Sequence, residues 1–111
     1  MCICAITHII GGIMTTINEL SEFFKMFSDE SRLKIIEALV LKEYSVLELA
    51  EKVEMTQTAV SYQLRILRDS HIVKYRKVAQ SVFYSIDDEH ISYLINVARY
   101  HLDEKKELTI N

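Results

Sequence analysis

The chain has 111 residues, 50% hydrophobic and 26% charged, which suits one compact domain and excludes a second domain, a fibre or a catalytic cleft between domains. Thirteen Lys and Arg against sixteen Asp and Glu leave a formal charge of -3, so the molecule is no polycation. Any nucleic-acid surface must be a local basic patch.

Residues 1–13 read as a flexible leader or an alternative translation start, with Met14 opening the domain that runs to residue 111. The apolar stretch from Met1 to Met14 is shorter than the roughly 20 residues a membrane span needs and lacks the basic start of a secretory signal. A soluble, cytoplasmic protein without membrane contact is expected. The two cysteines, Cys2 and Cys4, lie too close together and too near the terminus to staple a fold.

Proline is absent and both glycines, Gly11 and Gly12, fall in the leader, so breaks beyond it must come from caps and polar clusters. A first helix is expected over Ile17–Met26, with Leu20, Phe23, Phe24 and Phe27 at helical spacing. Ser28 is the predicted cap of a second helix, which has Asp29 and Glu30 in its first turn, runs to Lys42 and carries Leu33, Ile36, Leu39 and Val40. The Ser45-Val-Leu-Glu48 segment fits a capping box and starts a short helix to Lys52. Thr56 caps the next helix, to Ser70, whose Val60, Leu64 and Leu67 form a core stripe. Ile72–Ile86 has strand content with a turn at Val78–Gln80, which predicts a hairpin. A last helix follows over Asp87–Glu104, with Ile91, Leu94, Ile95, Ala98 and Leu102 on its apolar face.

A pair of helices joined by a short turn and followed by a hairpin has the order of a winged helix-turn-helix, a mainly α fold whose second paired helix enters the major groove of DNA. Gln57, Thr58, Ser61, Tyr62 and Arg65 can bond base edges or phosphates and lie away from the core stripe. Arg65, Arg68, Lys74, Arg76 and Lys77 face a single acid, Asp69, over the same stretch, which supplies the local basic patch. Gln80 adds a polar group at the hairpin turn.

Asp88, His90, His101 and Glu104 are metal-ligating residue types on or beside the last helix. His101 and Glu104 share a face at i, i+3, and Asp88 can converge with His90 because the helix is only starting there. The two histidines point the same way but lie about 16 Å apart along the axis. Zinc bonds are about 2 Å long, so one chain cannot close the site. Two copies of the helix, antiparallel across a two-fold, would make two identical four-ligand sites and a homodimer joined through its terminal helices. Nitrogen and oxygen donors without sulfur suit zinc or cobalt and disfavour soft ions. A zinc hydrolase would need an open ligand position and a general base in a cleft, which such a site does not offer.

The segments KMFSDESRLKIIEAL, SVLELAEKVEMTQTAVSYQLRILRDSHIVKYRK and QSVFYSI closely resemble the ArsR/SmtB family of bacterial metal-responsive repressors, over nearly all of residues 17–104. The resemblance implies that the helix from Thr56 is the recognition helix and the hairpin the wing. It also implies that D-x-H-x10-H-x-x-E is a zinc, cobalt or nickel site whose occupation releases double-stranded operator DNA. Tyr62 stands where relatives commonly carry His, and Val78-Ala79 where the wing tip commonly has Gly. A second family site holds soft metals through C-V-C at the start of the short helix; here the positions read Ser45-Val46-Leu47. Cys2, Cys4 and His8 leave open an alternative, a repressor of the same type answering a thiol-reactive or other non-metal signal.

Overall fold

The structure, a computed structural model, describes residues 14–110, with side chains through Glu107. In chain order the elements are α1 (Ile17–Lys25), α2 (Glu30–Leu41), β1 (Tyr44–Ser45), α3 (Val46–Val53), α4 (Gln57–Asp69), β2 (Val73–Val78), β3 (Ser81–Ile86) and α5 (Glu89–Ile110).

Side-chain caps set most of the starts. Thr16 and Glu19 exchange bonds at the head of α1, and Ser45 and Glu48 do the same at α3, so each pair satisfies two amides that the first turn leaves unpaired. The Thr56 hydroxyl accepts from the Ala59 N–H at 3.1 Å and starts α4, as the sequence predicts. At α2 the cap moves by one residue: the Asp29 carboxylate accepts from the Arg32 N–H at 3.0 Å, while the Ser28 hydroxyl donates to the Lys25 carbonyl at 2.9 Å. Ser28 thus closes α1 and Asp29 opens α2.

With no glycine in this part of the chain, sharp stops use other residues. Glu54 and His71 take left-handed torsions, φ 57 and φ 61, after α3 and α4. Behind His71, the Ile72 N–H bonds the Leu67 carbonyl at 2.9 Å and the His71 N–H bonds Arg68 at 3.0 Å, the paired closure of a Schellman motif. Ala79, at φ 57, begins the two-residue turn between Val78 and Ser81, the position at which type II′ hairpins favour glycine.

The core is one cluster: Ile35, Ile36, Ala38 and Leu39 of α2, Leu49 and Ala50 of α3, Val60, Leu64 and Leu67 of α4, then Tyr44, Ile72, Val73 and Ile91. α2 lies at its centre and touches α3, α4, α5 and β3. That position explains why its buried side is broader than the predicted stripe, with Leu33 partly exposed and Ile35 wholly buried. The sheet has order β1-β3-β2, both pairings antiparallel, with Tyr44 opposite Tyr84 and Tyr75 opposite Tyr84 on the other side. β1 was not expected from sequence.

Candidate functional site

α4 is anchored along one side by Val60, Leu64 and Leu67, all at most 1% exposed. The opposite side carries Gln57, Thr58, Ser61, Tyr62, Arg65 and Arg68, every one exposed. A helix shows this pattern when one stripe is fixed to a core and the other faces a partner or water. Arg32 braces the middle of the helix: its guanidinium donates to the Met26 carbonyl at 3.1 Å and to Gln63 of α4 at 3.3 Å. Sequence reading had no signal for this brace, which joins residues far apart in the chain.

The hairpin sits beside α4, and strand alternation divides its cations between two faces. Tyr75 and Tyr84 stack at 5.9 Å on one face, where the Arg68 guanidinium of α4 lies 5.1 Å from the Tyr75 ring. Lys77 shares the parity of Tyr75. Lys74 and Arg76 point to the other face, where Arg76 lies 5.7 Å from the Phe83 ring and forms a two-pronged ion pair with Glu43. That pair holds the Glu43 carboxyl below the ordinary carboxylate range through the Arg76 hydrogen bond. Gln80 is exposed in the turn. The structure therefore gathers Gln57, Thr58, Ser61, Tyr62, Arg65 and Arg68 on one helix face, and sets Lys74, Arg76, Lys77 and Gln80 on the adjoining wing.

Of the four proposed metal ligands, the structure brings Asp88 and His90 together. One Asp88 carboxylate oxygen accepts from the His90 N–H at 2.8 Å and lies 3.1 Å from the ring Nδ1. Asp88 thus caps α5 and orients the His90 ring with the same oxygen. His101 and Glu104 lie about three turns or more further along α5, both exposed. Among the described residues of one chain no three metal-ligating side chains cluster, as the rise of a helix requires. α5 starts at Glu89 and continues to Ile110, beyond the expected end at Glu104. The Arg99–Glu37 ion pair ties its middle to α2.

A groove of about 600 Å³ lies between α2, α3 and α5 and is lined by none of the four ligands. Ser45, at the first position of the alternative C-V-C motif, is occupied as the cap of α3. Cys2, Cys4 and His8, like the whole leader, lie outside the described residues.

A paired α3 and α4, the second with an exposed polar and basic face, followed by a basic hairpin, defines a winged helix-turn-helix DNA-binding domain. Residues 29–75 match the family described as bacterial regulatory protein, arsR family. The chain is 42% identical over 86 residues to the transcriptional repressor SmtB homolog of Synechocystis sp., an alignment covering 78% of this chain and 65% of that relative, just under two thirds of its length. To the cadmium resistance transcriptional regulatory protein CadC homolog of Staphylococcus aureus it is 38% identical over 87 residues, 78% of this chain and 72% of the relative. The crystal structure of Mycobacterium tuberculosis Rv0081 superposes with a TM-score of 0.76 at 33% identity, covering 82% of this chain and 92% of that one. The chain belongs to the ArsR family of DNA-binding transcriptional regulators. Among the described residues no helix is long and apolar enough to cross a membrane.

Proposed function

We propose that the protein is a cytoplasmic, homodimeric repressor that holds a two-fold-symmetric operator when metal-free and releases it when zinc, or cobalt or nickel, binds between the α5 helices. The observation that carries this reading is the Asp88–His90 pair fixed at the head of α5, with His101 and Glu104 on the same helix but too far along it to join that pair. Each pair makes half of a four-ligand shell. Asp88 and His90 of one protomer with His101 and Glu104 of its partner complete it, and the donor set of two imidazoles and two carboxylates fits an ion of intermediate softness. A relative named as a transcriptional repressor supports repression, and one named as a cadmium resistance regulator supports a metal signal.

Dimerisation through the terminal helices suits their surfaces. α1 has no buried residue, and α5 exposes Tyr93, Val97, Tyr100 and Leu102. Apolar area of this extent on two helices stays in water unless a second copy covers it.

When bound, an ion held by Asp88 and His90 of one protomer and His101 and Glu104 of its partner would link the two α5 helices. The protein does the rest. α5 is rooted in the reading unit through buried Ile91, half-buried Ile95 and the Arg99–Glu37 pair, so fixing the angle between two α5 helices fixes the separation of the two α4 helices. That separation must match about one turn of DNA for both half-sites to be read. Release follows if the ligated angle departs from that spacing, and by linkage DNA weakens metal binding by the same factor.

On DNA, Gln57, Thr58, Ser61, Tyr62 and Arg65 face the major groove, with Arg68, Lys74, Lys77 and Gln80 toward the backbone. Arg65→Ala and Ser61→Ala should each weaken operator binding by about 1–3 kcal/mol and leave dimerisation and metal affinity unchanged. Fluorescence anisotropy with operator and scrambled duplexes measures this; unchanged specific affinity in both variants would remove α4 from the reading role. The metal reading is tested by titrating the operator complex with zinc, cobalt, nickel and cadmium separately. Release by none of them refutes it.

A further inference from the structure

The sequence counts Arg76 among the wing's cations, yet the structure gives its guanidinium a different partner. Nε donates to one Glu43 carboxylate oxygen at 3.1 Å and Nη2 to the other at 2.5 Å, a fork-to-fork contact that fills the geometry a phosphate would use. The Phe83 ring lies 5.7 Å away on the same sheet face. That face is the one opposite Tyr75 and Arg68, so the side chain is drawn across β3 toward the start of β1, away from the face turned to α4. Both members are substantially exposed, and an exposed ion pair adds little to stability. Its effect is on where a charge sits and how much of it DNA meets.

We propose that Glu43 withholds Arg76 from the phosphate-binding set, so that the wing grips DNA with one cation per protomer fewer than its composition implies. The consequence is specificity. Contacts to phosphate strengthen binding to every sequence alike, whereas base contacts distinguish the operator. A phosphate approaching Arg76 has to displace a carboxylate already paired to it, which exchanges one ion pair for another and releases no additional counterion from the protein side. Glu43 is therefore a specificity-determining residue that itself touches no DNA.

This inference rests on the wing lying against the DNA backbone, and the test separates the two. Binding of the full-length protein to random-sequence duplex is measured by anisotropy between 50 and 200 mM salt for wild type and for Glu43→Gln, Arg76→Gln, the double variant and Lys77→Gln. Glu43→Gln should steepen the slope of log K against log salt by about 0.9 per protomer and tighten binding roughly fivefold at the low-salt end. Arg76→Gln should leave the slope at its wild-type value, and the double variant should return to it. Thermal unfolding of each variant confirms that it is folded, and the single Arg76 variant supplies the readout should Glu43→Gln fail to fold. A gain retained in the double variant would mean that Glu43 acts as a repelling charge, and a slope lowered by Arg76→Gln would mean that Arg76 already holds a phosphate; either overturns the proposal. If Lys77→Gln flattens the slope while Glu43→Gln does nothing, the clamp is wrong and the wing stands. If neither moves it, the wing contact fails and the inference falls with it.

Discussion

Two variants that each bind no metal should recover binding when mixed. Asp88→Ala/His90→Ala removes one half-shell from each protomer and His101→Ala/Glu104→Ala removes the other, so neither homodimer retains a complete site. In a heterodimer, the intact Asp88 and His90 of one chain meet the intact His101 and Glu104 of its partner at one of the two sites, while the other site loses all four ligands. Random reassortment makes half the dimers mixed, each with one site, so the mixture should bind about one quarter of the wild-type metal. Calorimetric titration with zinc after co-refolding reads this stoichiometry directly. The effect is large because a two-ligand remnant gives up half of the bonds that hold the ion, and because the Asp88 oxygen that orients the His90 ring is lost together with that ring. Tight binding by either homodimer places the site within one chain. An empty mixture refutes sharing across the two-fold.

Leu64→Ala should destabilise the fold by about 2–5 kcal/mol, a large part of the roughly 5–15 kcal/mol that holds a domain of this size together. Leu64 is 1% exposed and lies midway along the buried stripe of α4, so the lost methyl groups leave a cavity that Val60 and Leu67, each fixed by its own packing, cannot close. Leu47→Ala provides the contrast. Leu47 is 61% exposed in the first turn of α3, so its truncation should change stability by no more than about 0.5 kcal/mol. Urea unfolding of both variants decides it. Equal effects would mean that α4 does not bury the stripe through which its polar face is aimed.

Much of this was legible in sequence because it is local. The Ser45/Glu48 box, the Thr56 cap and the Val60, Leu64 and Leu67 spacing each depend on residues within a turn or two of one another, and the structure has all three. The Asp88/His90 and His101/Glu104 spacings were legible for the same reason, and the structure sets Asp88 beside His90. The capping of α2 was read one residue early because Ser28 and Asp29 are both capping types, and only the Ser28 bond to Lys25 shows that the serine serves the preceding helix. β1 has two residues and no pattern of its own; it exists because Tyr44 pairs with Tyr84 forty residues later. The Glu43–Arg76 clamp spans 33 positions, and no periodicity marks such a contact. The end of α5 was set too early because neither glycine nor proline marks it, and a helix without a stop signal runs on.

The absence of proline also has a kinetic meaning. A domain that bends at prolines refolds in part at the pace of peptide-bond isomerisation, tens to hundreds of seconds. Here the bends at Glu54 and His71 are closed by hydrogen bonds between residues no more than five apart, and Ala79 turns the hairpin in two residues. Refolding from denaturant should therefore lack any isomerase-sensitive slow phase. A regulator stripped from DNA and unfolded by heat or acid regains its reading helix at the speed of helix and hairpin formation, without the help of a prolyl isomerase.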